Sequence, residues 1–247
     1  MDIVTVLYFK EMKCDSGAPH KKERDRFLLS AGHKCLAQYA VLAEKGYFPK
    51  PYLDTYGSLG TILPGHPDMN KLPGIEANTG ALGHGLAIAV GMAMGIRLDE
   101  GDSRVYVIMG DGELAEGSNW EAIAAAAHYK LSNLCVFVDF NGLQISGRVQ
   151  DIMNFTPFKE RFEAFGWNVI TIDGHDMKQI VEALEMARVA VDRPTVIVAH
   201  TIKGKGIPFL EGKAASHFWS PNEGELDEAV KSIKIKAGLQ EGKGYDW

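Results

Sequence analysis

Cysteine is scarce in this chain of 247 residues: Cys14, Cys35 and Cys135 stand far apart and form no C-x-x-C pair. That excludes a disulfide framework, and free thiols point to a reducing cytoplasm. Long apolar runs are also missing. No stretch approaches the roughly 18 apolar residues a membrane-spanning helix needs. The opening segment Met1-Asp2-Ile3-Val4-Thr5-Val6-Leu7-Tyr8-Phe9 lacks the basic lead of a signal peptide. The formal charge is −6 and no dense Lys/Arg run occurs, which argues against nucleic-acid binding. No P-loop or G-x-G-x-x-G follows a strand-like run, so a mononucleotide-binding protein has no support. No Pro- or Ser-rich linker divides the chain, and a single domain over residues 1–247 is expected.

Apolar residues, by contrast, make up an ordinary 46%, and the 27 glycines exceed the usual share of roughly 7%. Many of them follow apolar runs. Val105-Tyr106-Val107-Ile108-Met109 leads into Gly110-Asp111-Gly112, and Leu134-Cys135-Val136-Phe137-Val138 leads towards Asn141-Gly142-Leu143. Each run reads as a buried strand ending in a polar loop. The Ala-rich stretch from Asn119 to Lys130 reads as the helix between them. A strand-helix-strand unit makes the two strands parallel, and both loops then lie at carboxyl ends, where open α/β sheets bind ligands.

These residue types suit a divalent cation that carries a diphosphate. Asp111 offers a carboxylate oxygen, Asn141 an amide oxygen and Leu143 a main-chain carbonyl, and hard cations take oxygen ligands completed by phosphates. Gly110 and Gly112 would let backbone N–H groups approach a phosphate. Either piece alone is a common turn. Two of them, each after a strand, argue for a cofactor site.

Along the rest of the chain, residues 1–12 and 24–46 are expected to be helical, and 47–80 a long Gly/Pro-rich functional loop. Helices are expected from Gly83 to Leu98, Phe158 to Phe165 and Met177 to Val191. Strands are expected at Trp167 to Ile172 and Thr195 to His200, with a loop from Lys203 to Pro221. Gly91-Met92-Ala93-Met94-Gly95 has small-residue spacing that suggests close helix packing. The alternation predicts an α/β fold with a doubly wound parallel sheet flanked by helices.

Several segments together carry a resemblance. Gly110-Asp111-Gly112-Glu113-Leu114-Ala115-Glu116-Gly117 through Asn141-Gly142-Leu143-Gln144-Ile145-Ser146-Gly147 resembles the thiamine diphosphate motif of transketolases. Ser30-Ala31-Gly32-His33, Pro64-Gly65-His66-Pro67 and Thr79-Gly80-Ala81-Leu82-Gly83-His84-Gly85 resemble further loops of that family. Arg161 to Trp167 and Ile172 to Asp176 also match in order, so the similarity runs over nearly the whole chain.

The resemblance implies thiamine diphosphate with Mg²⁺, or Ca²⁺ or Mn²⁺ in its place, and Asp111, Asn141 and the Leu143 carbonyl as metal ligands. It implies that His33 and His66 line the cofactor and substrate channel, and that His217 faces the thiazolium. On their own, those histidines read equally well as surface or core residues. Gly80, Ala81 and Leu82 match the segment against the aminopyrimidine, although Ala81 and His84 depart from the family's Pro and Gln. Lys203, in Lys203-Gly204-Lys205-Gly206, is either a phosphate contact or part of a soluble basic turn. Glu116 matches a glutamate near the subunit interface, and it also reads as a first-turn glutamate that stabilises the next helix. Phe218-Trp219-Ser220 departs from the family's continuation after His217.

The implied activity moves a two-carbon ketol unit from a ketose phosphate to an aldose phosphate, with His33, His66 and His217 orienting hydroxyls and passing protons. The family's upstream Ser-Gly-His segment has no counterpart here, so the chain is expected to be truncated at its start or to work without that histidine. The pyrimidine-binding and C-terminal domains are expected on a separate C-terminal subunit, in an α2β2 heterotetramer. Two alternatives remain. One is another thiamine diphosphate enzyme, such as a deoxyxylulose-phosphate synthase-like protein or a 2-oxoacid dehydrogenase α subunit. The other is a non-catalytic cofactor-binding subunit.

Overall fold

The computed structural model describes residues 1–238. The expected single domain also takes in residues 239–247, which lie outside the described part. In chain order the elements are α1 (Asp2–Val6), continued by a π-helical turn (Leu7–Glu11), β1 (Arg26–Leu29) and α2 (Cys35–Glu44). Next come α3 (Gly85–Leu98), β2 (Val105–Gly110), α4 (Gly117–His128) and β3 (Leu134–Phe140). The short hairpin strands β4 (Leu143–Gln144) and β5 (Gly147–Arg148) follow, then α5 (Val149–Ile152), α6 (Phe158–Ala164) and β6 (Asn168–Asp173). The described chain closes with α7 (Met177–Val189), β7 (Thr195–His200) and α8 (Glu223–Lys236).

Five strands form one parallel sheet in the order β1-β2-β3-β7-β6. The pleat sends alternate side chains to opposite faces. Phe27, Leu29, Tyr106, Ile108, Cys135, Phe137, Ile197 and Ala199 join the core under α1, α2 and α7. Leu28, Val105, Val107, Met109, Val136, Val138, Val196 and Val198 join the core under α3, α4 and α6. Both faces are therefore covered, which explains why the central strands read as unbroken apolar runs. The doubly wound α/β fold is as expected.

Two expectations are corrected. Residues 24–46 are not one helix: Arg26–Leu29 pairs with Val105–Ile108 as an edge strand, and a turn separates it from α2. Four residues are too few for periodicity to tell a buried strand from a helix, and pairing with β2 decides the outcome. Gly91 and Gly95 pack against nothing among the described residues, because a Cβ at either would meet open space. Among the described residues no helix is long and apolar enough to cross a membrane.

Candidate functional site at the carboxyl edge of the sheet

Because all five strands run the same way, the segments that leave β1, β2, β3 and β7 emerge at one edge. They carry Ser30–Lys34, Gly110–Gly112, Asp139–Asn141 and Thr201–Lys203. The long loop over 47–80 and the 3₁₀ turn Ala214–Phe218 bring His66 and His217 to the same place. Lys34, Asp139, Asn141, Thr201 and Lys203 line one cleft of about 760 Å³. An adjoining cavity of about 380 Å³ shares Asn141, Thr201 and Lys203 and reaches Leu143.

Asp111 is only 2% exposed. Its Oδ1 accepts the Gly112 N–H at 2.9 Å and its Oδ2 the Gly142 N–H at 2.6 Å, so the carboxylate ties the β2 loop to the β3 loop. Burial pushes its pKa up to about 6, the nearby Asp139 reinforces that, and the two N–H donors and Lys34 oppose it. Asn141 Oδ1 accepts the Leu143 N–H at 3.1 Å and so shapes the loop. Each of these oxygens has a lone pair left after its one N–H donor.

Asp139 behaves differently. Burial would raise it, yet the ammonium of Lys34 at 2.5 Å, the hydroxyl of Thr201 and the Asn141 side chain hold it down to about 2. Neither Lys34 nor Asp139 follows from the sequence pattern. Lys34 is one polar residue in a turn, and its partner lies 105 positions away.

The histidines do converge. The His33 and His217 rings lie 5.1 Å apart, and His217 Nδ1 is 3.4 Å from Lys203 Nζ. His33 retains solvent exposure, but partial desolvation and its neighbours Lys34, His217, Lys203 and His66 push it down to about 4. Burial, Lys203 and Lys34 also lower His217. Desolvation and Lys34 lower Lys203, against the pull of Asp139 and Asp111. His33 is therefore neutral near pH 7, able to accept or donate a hydrogen bond, beside cations that favour an anion.

Glycine permits the close approach of the loops. A Cβ at Gly80, whose φ is +137°, would stand 2.6 Å from the His66 ring. One at Gly32 would stand 2.7 Å from the backbone of Thr79 and Gly80. The Gly80-Ala81-Leu82 segment is thus held against both histidine loops. One detail differs from the sequence reading. The Gly110 N–H donates to Glu113 Oε2 at 3.2 Å, and that of Gly112 goes to Asp111, so neither is unclaimed for a phosphate. Glu116 is an exposed N-cap residue of α4, without a side-chain cap bond, packed beside Gly83.

Residues 1–245 match the family described as transketolase, thiamine diphosphate binding domain. The chain belongs to this transketolase family. It is 42% identical over 233 residues to one subunit of the apulose-4-phosphate transketolase of Phocaeicola vulgatus, covering 94% of this chain and 83% of that protein. It is 47% identical over 233 residues to the SqwG subunit of a 6-deoxy-6-sulfo-D-fructose transketolase from a Clostridium species, covering 94% and 85%. Among solved structures, transketolase from Leishmania mexicana superposes with a TM-score of 0.88 at 32% identity over 99% of this chain. Transketolase from Campylobacter jejuni gives 0.88 at 34% over 96%. The chain spans only 38% of each of those two chains.

The residues present fit the transketolase cofactor. Gln144 Nε2 is buried without a hydrogen-bond partner beside Gly112, a donor that a diphosphate oxygen would satisfy. Among the described residues no group of three His, Cys, Asp or Glu side chains could hold a metal. A cation here would rely instead on one carboxylate, one amide and a carbonyl, an all-oxygen set that suits a hard ion.

Proposed function

We propose that this chain is the diphosphate-binding subunit of a split transketolase. In this reading it transfers a two-carbon ketol unit from a ketose phosphate to an aldose phosphate, in the cytoplasm. The supporting observation is the convergence of Asp111, Asn141, Lys203, His33, His66 and His217 on one edge, in a chain that aligns along 94% of its length with transketolase subunits. Asp111, Asn141 and the Leu143 carbonyl would hold Mg²⁺ or a similar divalent ion. Lys203 would contact the diphosphate, His217 would face the thiazolium, and Gly80, Ala81 and Leu82 would lie against the aminopyrimidine.

When bound, thiamine diphosphate supplies the electron sink for cleaving the donor's carbon–carbon bond. The chain's own part is to position and to move protons. His33, His66 and His217 orient sugar hydroxyls and pass protons, with His33 held as a neutral hydrogen-bonding ring. The pyrimidine-binding half comes from a C-terminal subunit in an α2β2 assembly, with residues 1–247 as one domain.

The test mixes this chain with such a subunit, thiamine diphosphate and Mg²⁺, then assays donor consumption. Ketol transfer from xylulose 5-phosphate, absent with pyruvate as donor, is the expected result. Turnover of pyruvate alone would replace transketolase with another thiamine diphosphate enzyme. Cofactor binding without any turnover would make the chain a non-catalytic subunit.

A further inference from the structure

Glu113 lies at the foot of the site and belongs to none of the roles above. It is 3% exposed, in the 3₁₀ turn Gly112–Ala115. Its carboxylate accepts three hydrogen bonds from three different segments. Ser30 Oγ donates to Oε1 at 2.5 Å, the Gly83 N–H donates to Oε1 at 3.0 Å, and the Gly110 N–H donates to Oε2 at 3.2 Å. Ser30 follows β1 and leads to His33. Gly83 follows Gly80-Ala81-Leu82. Gly110 closes β2 and leads to Asp111. One side chain therefore joins the three loops that carry the histidine, the ring-contacting segment and the carboxylate.

The surroundings show that this junction is tight. Gly83 is held from its other side as well, because Ser118 Oγ donates to its carbonyl at 2.8 Å. A Cβ at Gly85 would stand 2.4 Å from Ser30 Oγ. The turn that carries Glu113 is anchored by Asn119 Nδ2, which donates to the Glu113 carbonyl at 2.6 Å, and by Trp120 Nε1, which donates to the Leu114 carbonyl at 2.8 Å. Three donors meet the two oxygens of a carboxyl group that would be costly to bury unpaired.

We propose that Glu113 is a positioning residue that locks the β1, β2 and Gly80–Gly83 loops into the geometry that holds the cofactor. The loop-locking part stands on the hydrogen bonds alone, and the cofactor part rests on the function proposed above. An amide cannot take its place. Glutamine has one acceptor oxygen, so its NH₂ group would face either the Gly110 N–H or the Ser30 and Gly83 donors.

The test is hydrogen exchange on the full chain, followed by thiamine diphosphate and Mg²⁺ titration of the chain with its C-terminal subunit. Glu113→Gln is expected to speed exchange in residues 26–34, 79–86 and 105–112 together, while 168–173 is unchanged. It is also expected to weaken cofactor binding about tenfold, the scale seen when a supporting partner of a ligand is lost, and to raise the apparent KM for cofactor more than it lowers kcat. Asp25→Asn is the control. Asp25 is likewise buried and accepts the Lys13 N–H at 2.7 Å and the Arg104 N–H at 2.8 Å, but at the opposite end of the sheet. It should leave cofactor affinity unchanged. If Glu113→Gln does not fold, Ser30→Ala removes a single donor and should weaken binding in the same direction by about threefold, a fraction of the tenfold scale. Faster exchange confined to residues 110–115, or three loosened loops with unaltered cofactor affinity, overturns the proposal. Wild-type protein that binds no cofactor defeats the functional reading instead, and exchange alone then decides the loop lock.

Discussion

Replacing Lys34 with Met keeps the aliphatic stem and removes the charge beside Asp139. The two side chains are 23% and 22% exposed, so solvent screens the pair only in part. Lowering a carboxyl from its ordinary 3.8 to about 2 corresponds to about 2.4 kcal/mol, at roughly 1.36 kcal/mol per pH unit. Burial opposes that shift, and Lys34 supplies most of what overcomes it, ahead of Thr201 and Asn141. Lys34→Met should therefore cost about 2 kcal/mol at pH 7, below the roughly 3–5 kcal/mol of a fully buried broken pair. The sign with pH follows from the depressed pKa. The contribution is complete above pH 3.8 and is lost as pH falls from there through about 2. Urea unfolding at pH 7 measures the cost. The double variant Lys34→Met/Asp139→Asn leaves no unpaired charge and should be more stable than Lys34→Met alone. If the two single substitutions simply add, the pair is not coupled and the electrostatic account of the cleft is wrong.

Three further outcomes are expected. Gly32→Ala forces a Cβ to within 2.7 Å of the Thr79–Gly80 backbone, so it should cost about 1–3 kcal/mol in thermal or urea unfolding and weaken cofactor binding; unchanged stability would show that the loops are free to part. The His33 imidazole should titrate well below pH 6.5 in ¹⁵N NMR, near 4, because desolvation and its cationic neighbours disfavour the charged ring; a midpoint at or above 6.5 would contradict the packing of Lys34 and His217 around it. Asp176 caps α7 by accepting the Lys178 and Gln179 N–H groups, so Asp176→Ala should cost about 1 kcal/mol without touching cofactor affinity, by unfolding and titration side by side.

The sequence is most legible where a single signal suffices. Val105–Met109 and Leu134–Val138 announce buried strands because both sheet faces are covered, and Asp111 and Asn141 stand out because each follows such a run. β1 is hidden because Arg26–Leu29 is short and its strand character comes from pairing with β2, about 80 residues downstream. Among the described residues nothing faces Gly91 and Gly95 for a related reason: the spacing of small residues says nothing about what lies opposite. Lys34, Asp139, Thr201 and Glu113 are illegible for a different cause. Their partners are brought together only by the parallel order of the strands, across 105 positions for Lys34 and Asp139 and 83 for Ser30 and Glu113. The histidines are intermediate. Nothing local marks His33, His66 or His217, and the resemblance to transketolases singles them out before the structure brings them together.

The most direct measurement is calorimetric titration of thiamine diphosphate with Mg²⁺ into this chain mixed with a C-terminal transketolase subunit, with Asp111→Ala in parallel. Saturable binding to the mixture is expected, lost in Asp111→Ala while the variant keeps its folded circular dichroism spectrum. Equal binding by the wild type and Asp111→Ala, or no binding by either, would contradict a diphosphate site built on Asp111 and Asn141.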